Sequence, residues 1–262
     1  MTQPTGDAYP AHVGASEPQQ TAYPVHPDPN ATPYSIGGAF SWALSKFSAN
    51  AVGLVGGAAV HTLLLALGPA IAAGGAFLFA DSFSIESGGG GTYEEFTDWS
   101  LTPGSYVAIA FGLLVTLLLT AYSLSAYIGG VVDIANGQLT TFGSFFRPRN
   151  YAKVLGTVVL LSLALALGSL VFLVGAVVVV FLFWFAIPIV VDRGVGPWTA
   201  LKQSASLVRA NFGESLVTAL LVGMVWVVGN SACGVFVIVT APIATLIAVF
   251  ALRRFAGDTI AP

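Results

Sequence analysis

Apolar residues in this chain rarely alternate with polar ones. They come in long, nearly uninterrupted runs over about 50–80, 105–134, 153–191, 212–228 and 235–252, separated by short polar stretches. About 20 apolar residues suffice for a helix to cross a ~30 Å hydrocarbon core, so every run is a candidate crossing. The run at 153–191 is about twice that length. Two shorter helices there, 154–173 and 176–191, turning near Gly175 where glycine tolerates the bend, give six crossings. The pattern predicts an all-α, polytopic membrane protein whose six transmembrane helices form three hairpins. The first run exceeds one crossing at ~1.5 Å per residue, which calls for tilt, a kink at Pro69 or an end outside the membrane.

Amphipathic stretches precede the first, third and fifth crossings. Phe40, Leu44, Phe47 and Ala51 form one apolar stripe. Phe142, Phe145 and Phe146 lead into Arg147 and Arg149. Trp198, Leu201, Ala205, Val208 and Phe212 recur at helical spacing, with Lys202, Gln203, Ser206 and Arg209 away from them. These stretches are expected to lie at the membrane interface as a collar. Each ends in an asparagine that enters an apolar run: Asn50, Asn150 and Asn211. Asparagine is a strong helix N-cap, so all three are expected to cap the helix that follows. The segment Asp81–Gly104 carries five acids, no base and a glycine run at 88–91, and is expected to be a flexible loop. Residues 1–36 hold half of the fourteen prolines and no apolar periodicity, which predicts a disordered tail outside a membrane domain at 37–262. Within it, Ala8-Tyr9-Pro10-Ala11-His12 is echoed by Ala22-Tyr23-Pro24-Val25-His26, a candidate peptide motif for a protein partner.

Composition agrees with the pattern. Charged residues are 8% and hydrophobic residues 56% of 262, and mean hydropathy is +0.84. With six crossings, all nine Lys and Arg fall on one side. Had 153–191 crossed once, Arg193, Lys202 and Arg209 would lie opposite the rest. The positive-inside rule therefore favours six crossings and predicts a plasma-membrane protein with both termini cytoplasmic. Lys46, Arg147, Arg149, Lys202 and Arg209 are the expected contacts for anionic lipid headgroups. A pI near 5.5 and the lack of a basic stripe argue against a nucleic-acid role. The lone Cys233 excludes an intramolecular disulfide and an all-Cys metal site.

Candidate chemistry is sparse. His61 is the clear ionisable residue inside a crossing, roughly 16 Å along its helix, and such a residue is a candidate proton relay or anion ligand. The alternative is a neutral imidazole bonded to a neighbouring helix. Asp133 closes the second crossing and is expected to pair with Arg147, Arg149 or Lys153. Gly53 and Gly57 match GxxxG, a signal for close helix approach and for a homo-oligomer. No nucleophile–base pair, phosphate loop or metal-ligand cluster is visible in the sequence, so neither catalysis nor a cofactor or metal is expected. The expected function is non-enzymatic, an interaction or scaffolding role at the cytoplasmic face. The runner-up is a small-solute or lipid transporter built on His61 and helices broken at Pro69, Pro188 and Pro242.

Several segments resemble the proline- and glycine-rich integral membrane proteins of actinobacteria. They are Phe47-Ser48-Ala49-Asn50-Ala51, the run Phe142 to Asn150, Val190-Val191-Asp192-Arg193-Gly194 with Ala200 to Asn211, Thr240-Ala241-Pro242, and Arg253-Arg254 through Ala261-Pro262. That family is similar in pattern to the membrane domain attached to some glycerophosphodiester phosphodiesterases. The resemblance implies a polytopic plasma-membrane protein with a low-complexity tail, and no established activity.

Overall fold

A computed structural model describes residues 34–88, 93–170, 172–231 and 236–262. The tail assigned to 1–36 lies outside these residues except for its last three. Of those, Tyr34 is ordered against the bundle and Ser35 accepts a hydrogen bond from Gly38 N at the head of the first helix.

The helices are α1 (Ile36–Leu78), α2 (Pro103–Ala135), α3 (Tyr151–Ser169), α4 (Phe172–Phe183), α5 (Ala186–Arg193), α6 (Pro197–Ala210), α7 (Phe212–Asn230) and α8 (Val237–Ala256). Six stretches are long and apolar enough to cross a membrane: α1, α2, α3, Val174–Arg193, α7 and α8. α1 packs most heavily on α2, α3 on α4, and α7 on α8, so the crossings form three hairpins. The chain is an all-α polytopic protein. One end of the bundle gathers the basic residues; the three hairpin tips form the other.

Two details differ from expectation. The turn between the third and fourth crossings falls near Leu170, not Gly175. Gly175 lies inside α4, where a Cβ built on the facing Gly168 would stand 2.9 Å from its carbonyl oxygen. These glycines serve close helix contact, not a bend. The acidic segment is not an irregular loop. Strands β1 (Asp81–Gly88) and β2 (Tyr93–Ser100) pair antiparallel, from Asp81 opposite Ser100 to Gly88 opposite Tyr93. Asp81-Ser82-Phe83-Ser84-Ile85-Glu86 alternates with the two-residue period of a strand, and that local pattern outweighs the glycine run.

The core is asymmetric. Buried side chains concentrate near the basic end: Ile128 to Ala135, Phe145, Phe185 to Val191, Leu207, Val208 and most of Leu246 to Ala256. Toward the tips, Phe77, Leu78, Leu167, Leu170, Val227 and Val228 are exposed, as lipid-facing residues should be. At the basic end the helices contact one another closely, and this fixes where polar groups can be held.

Candidate functional site at the basic end

The 3₁₀ helix Phe142–Phe146 was expected at the interface, yet it enters the bundle between α1 and α2. Phe145 is fully buried. Its ring occupies a socket floored by glycines: a Cβ at Gly130 would stand 2.5 Å from Phe145 Cδ1, at Gly53 2.9 Å from Cε2, and at Gly57 3.1 Å from its Cβ. Gly53 and Gly57 therefore receive a ring of their own chain. A short 3₁₀ segment leaves carbonyls without intrahelical partners, and where it packs into the bundle they must be satisfied by protein. His61 Nε2 donates to Phe145 O at 2.9 Å, Tyr122 Oη to Phe146 O at 3.1 Å, and Ser125 Oγ to Arg149 O at 2.6 Å. Because a carbonyl only accepts, Nε2 carries the proton, and His61 Nδ1 accepts from Ser123 Oγ at 3.0 Å. The imidazole is 4% exposed and stacks on Phe146 with ring centroids 5.0 Å apart. Both ring nitrogens are occupied.

Around this socket lies a network of ion pairs. Arg149 Nη2 reaches both Asp133 oxygens, at 2.6 and 2.7 Å, which ties the inserted segment to the end of α2. Arg253, on the last turn of α8, bonds Asp192 Oδ1 at 2.7 Å, Asn136 Oδ1 at 2.9 Å and Thr259 O at 3.3 Å. Side-chain exposure is only 10% for Arg253 and 11% for Asp192. Arg193 pairs with Asp258. Residues 258–262 fold back over the bundle: Ala261 N donates to Ala135 O, Trp42 Nε1 to Ala261 O at 2.8 Å, and Lys46 reaches the backbone oxygen of Pro262. Tyr34 Oη contacts Thr218 Oγ1, whose own proton goes to Glu214 O. Burial pushes the Tyr34 phenol above its ordinary range, so it remains the donor.

The asparagines mark helix junctions, but their side chains do not cap the following helices. Asn50 interrupts α1 with non-helical φ/ψ of −126° and 20°; Nδ2 donates to Lys46 O and Oδ1 accepts from Thr140 Oγ1, both at 2.9 Å. Asn211 sits between α6 and α7 and donates to Leu207 O at 3.0 Å. Asn150 precedes α3 in the left-handed region, φ 54°, which asparagine tolerates better than most residues, and donates to Val190 O at 3.1 Å. In each case the amide nitrogen satisfies a carbonyl at the end of a helix. Leu207 O and Val190 O each already accept a backbone N–H, from Asn211 and Gly194, so the carboxamide adds a second bond at the helix end.

The amphipathic stretches are also rearranged. In α6 the buried side is Ala200, Leu201, Ser204, Ala205, Leu207 and Val208, packed on α3, α4 and α5. Trp198 is 64% and Phe212 56% exposed, so neither belongs to the buried stripe. Protein on one side has replaced lipid as the partner of Leu201 and Val208. In the first stretch Ala39 and Ala43 are buried while Phe40 and Leu44 face outward. Lys202 and Arg209 project from the exposed side of α6, and Arg147 is exposed on its loop. None of these three makes an ion pair among the described residues.

Fold and polar network together define a multi-pass helical membrane protein whose internal order is concentrated at its basic end. Comparison with known proteins finds distant mycobacterial relatives. Over 244 residues it is 29% identical to an uncharacterized protein of Mycobacterium tuberculosis strain H37Rv, covering 93% of this chain and 74% of the relative. An uncharacterized protein of Mycobacterium bovis gives the same identity and coverage. No family model matches the chain, and no solved structure matches it.

Sequence reasoning overlooked the hydrogen-bonding roles of Tyr122, Ser123, Ser125 and Asn136 and the pairing of Asp192 with Arg253. A signal was available. Polar atoms at 122, 123, 125 and 127 in an apolar helix need partners; Tyr122 and Ser125 find carbonyls of the Phe142–Asn150 segment, and Ser123 and Tyr127 find His61 and Leu54 O on α1.

Proposed function

We propose that the protein is a non-enzymatic interaction or scaffolding component of the plasma membrane, with its basic end and both termini in the cytoplasm. The observation that carries this reading is where the polar order lies. The ion pairs, the 3₁₀ helix with its buried Phe145 and the strapped residues 258–262 all tie one end of the bundle together, which makes it a fixed platform. The basic residues gathered there support the orientation. Lys46, Arg147, Lys202 and Arg209 contribute a positive surface for anionic lipid, while the charge of Arg149 is taken up by Asp133, and the tail repeat supplies a peptide for a protein partner. The mycobacterial relatives are in keeping with the actinobacterial resemblance.

The transporter reading draws on His61 and on the break between α4 and α5. His61 has both nitrogens engaged in holding the inserted segment, which favours a structural role. Two variants separate the readings in the native host. Deletion of residues 1–33 is expected to abolish crosslinking of the chain to its protein partner, while His61→Ala preserves it in whatever fraction inserts. Solute flux that survives the deletion and vanishes in a correctly inserted His61→Ala protein would overturn the scaffold.

A further inference from the structure

The fourth crossing is broken. α4 ends at Phe183 and α5 begins at Ala186. Pro188 has no N–H to offer the carbonyl four residues before it, so the helix cannot run through regularly. Ser204 of α6 answers the break by donating to Leu182 O at 2.9 Å. Beside it lie two cavities that share Phe183. One, of about 370 Å³, is bounded by Phe183 and by Trp198, Lys202, Ser206 and Arg209 of α6. The other, of about 260 Å³, is an almost wholly apolar groove reached from Val158, Leu161 and Leu165 of α3 and Val179, Phe183 and Trp184.

The chemistry of the pair is amphiphilic. Lys202 and Arg209 are seven residues apart, which puts them about 20° from the same helix face and two turns apart, with Ser206 between them. Neither cation has an acid to pair with among the described residues. Two unneutralised charges above an apolar wall favour an anion that carries its own apolar body. The indole N–H of Trp184, which lines the groove, is buried with no acceptor among the described residues. An ester carbonyl between headgroup and chain has the right chemistry for it.

We infer that the cleft between α6 and the α3–α4 hairpin holds one anionic glycerophospholipid. Its phosphate lies between Lys202 and Arg209, and one acyl chain runs past Phe183 into the groove at Trp184. This rests on the reading of the basic end as a lipid-contacting face and narrows it from a diffuse surface to a single built site.

The test uses the full chain purified in neutral detergent. Retained lipid is counted by native mass spectrometry after addition of dioleoyl phosphatidylglycerol, dioleoyl phosphatidylcholine or glycerol phosphate. The expected result is one phosphatidylglycerol per chain, held about 10- to 30-fold more weakly in K202Q/R209Q and restored in K202R/R209K. R254Q, which removes a base that neither lines the cleft nor belongs to the lipid-contacting set, should leave retention unchanged. Phosphatidylglycerol brominated in the acyl chain should quench a fluorescence component that is missing in W184F. Equal retention of the two lipids, or indifference to K202Q/R209Q, would overturn the site. Glycerol phosphate competing as well as the whole lipid would also overturn it, by showing a phosphate site without a chain. The tail and His61 play no part in this readout, so its failure is distinguishable from failure of the scaffold.

Discussion

His61 shows how an intramembrane ionisable residue can be committed to structure. Its Nε2–H holds the Phe145 carbonyl and its Nδ1 receives Ser123, so replacement by alanine leaves a buried acceptor and a buried hydroxyl without partners. His61→Ala is expected to lower thermal stability in detergent by about 1–3 kcal/mol, and Ser123→Ala by less, since only one bond is lost. An unchanged melting temperature for His61→Ala would show that the hydrogen bonds carry little. Arg253 and Asp192 make a sharper case because both are nearly buried. Removing either alone, as in Asp192→Leu, strands the other charge and is expected to cost about 3–5 kcal/mol. The double variant Asp192→Leu/Arg253→Met should recover much of that loss, which a double-mutant cycle would measure. The pairing of Asp133 with Arg149 could be anticipated because the two lie close in the chain. The Asp192–Arg253 pair could not, since it depends on α5 and α8 meeting. The asparagines were legible as junctions, and their bonding partners were not: an N-cap and a C-terminal carbonyl present the same residue type with opposite ends of its amide.

Among elements, hydropathy fixes crossings well because lipid imposes a length, and it says little about which helices touch. Glycine carries that second message. A Cβ on Gly68 would stand 2.6 Å from Thr116 N, and one on Gly112 would stand 2.5 Å from Ala72 N. Backbone cannot yield as a flexible side chain can, so Gly68→Ala and Gly112→Ala should each force α1 and α2 apart. A stability loss of about 1–3 kcal/mol in detergent denaturation is expected. Gly74→Ala, whose Cβ would meet nothing within 4 Å, is the internal control and should be silent. The 3₁₀ helix was read as interfacial because Phe142, Phe145 and Phe146 lead into the basic pair Arg147 and Arg149. What sent Phe145 inward is the glycine socket of Gly53, Gly57 and Gly130, a complementarity spread over two other helices. The paired strands β1 and β2 were hidden for a different reason: the alternation of Phe83 and Ile85 is short, and beyond the glycine run Tyr93, Phe96 and Trp99 recur every three residues, so the second strand has no two-residue pattern to read.

At the scale of the whole molecule, order is graded along the membrane normal. Ion pairs, buried aromatics and the strap of residues 258–262 hold the basic end, while the tips expose apolar side chains. A platform of this kind depends on all the bases lying on one side, which in turn requires 153–191 to cross twice. Cysteine accessibility tests that requirement most directly. In a Cys233→Ser background, single cysteines at Ser100, Leu170, Ser206 and Ser231 would be probed in intact cells with a membrane-impermeant thiol reagent; all four residues are exposed. Labelling at 100, 170 and 231 but not at 206 is the predicted result. Labelling at 206, or protection at 170, would contradict the six-crossing topology or its orientation and remove the basis for the cytoplasmic platform.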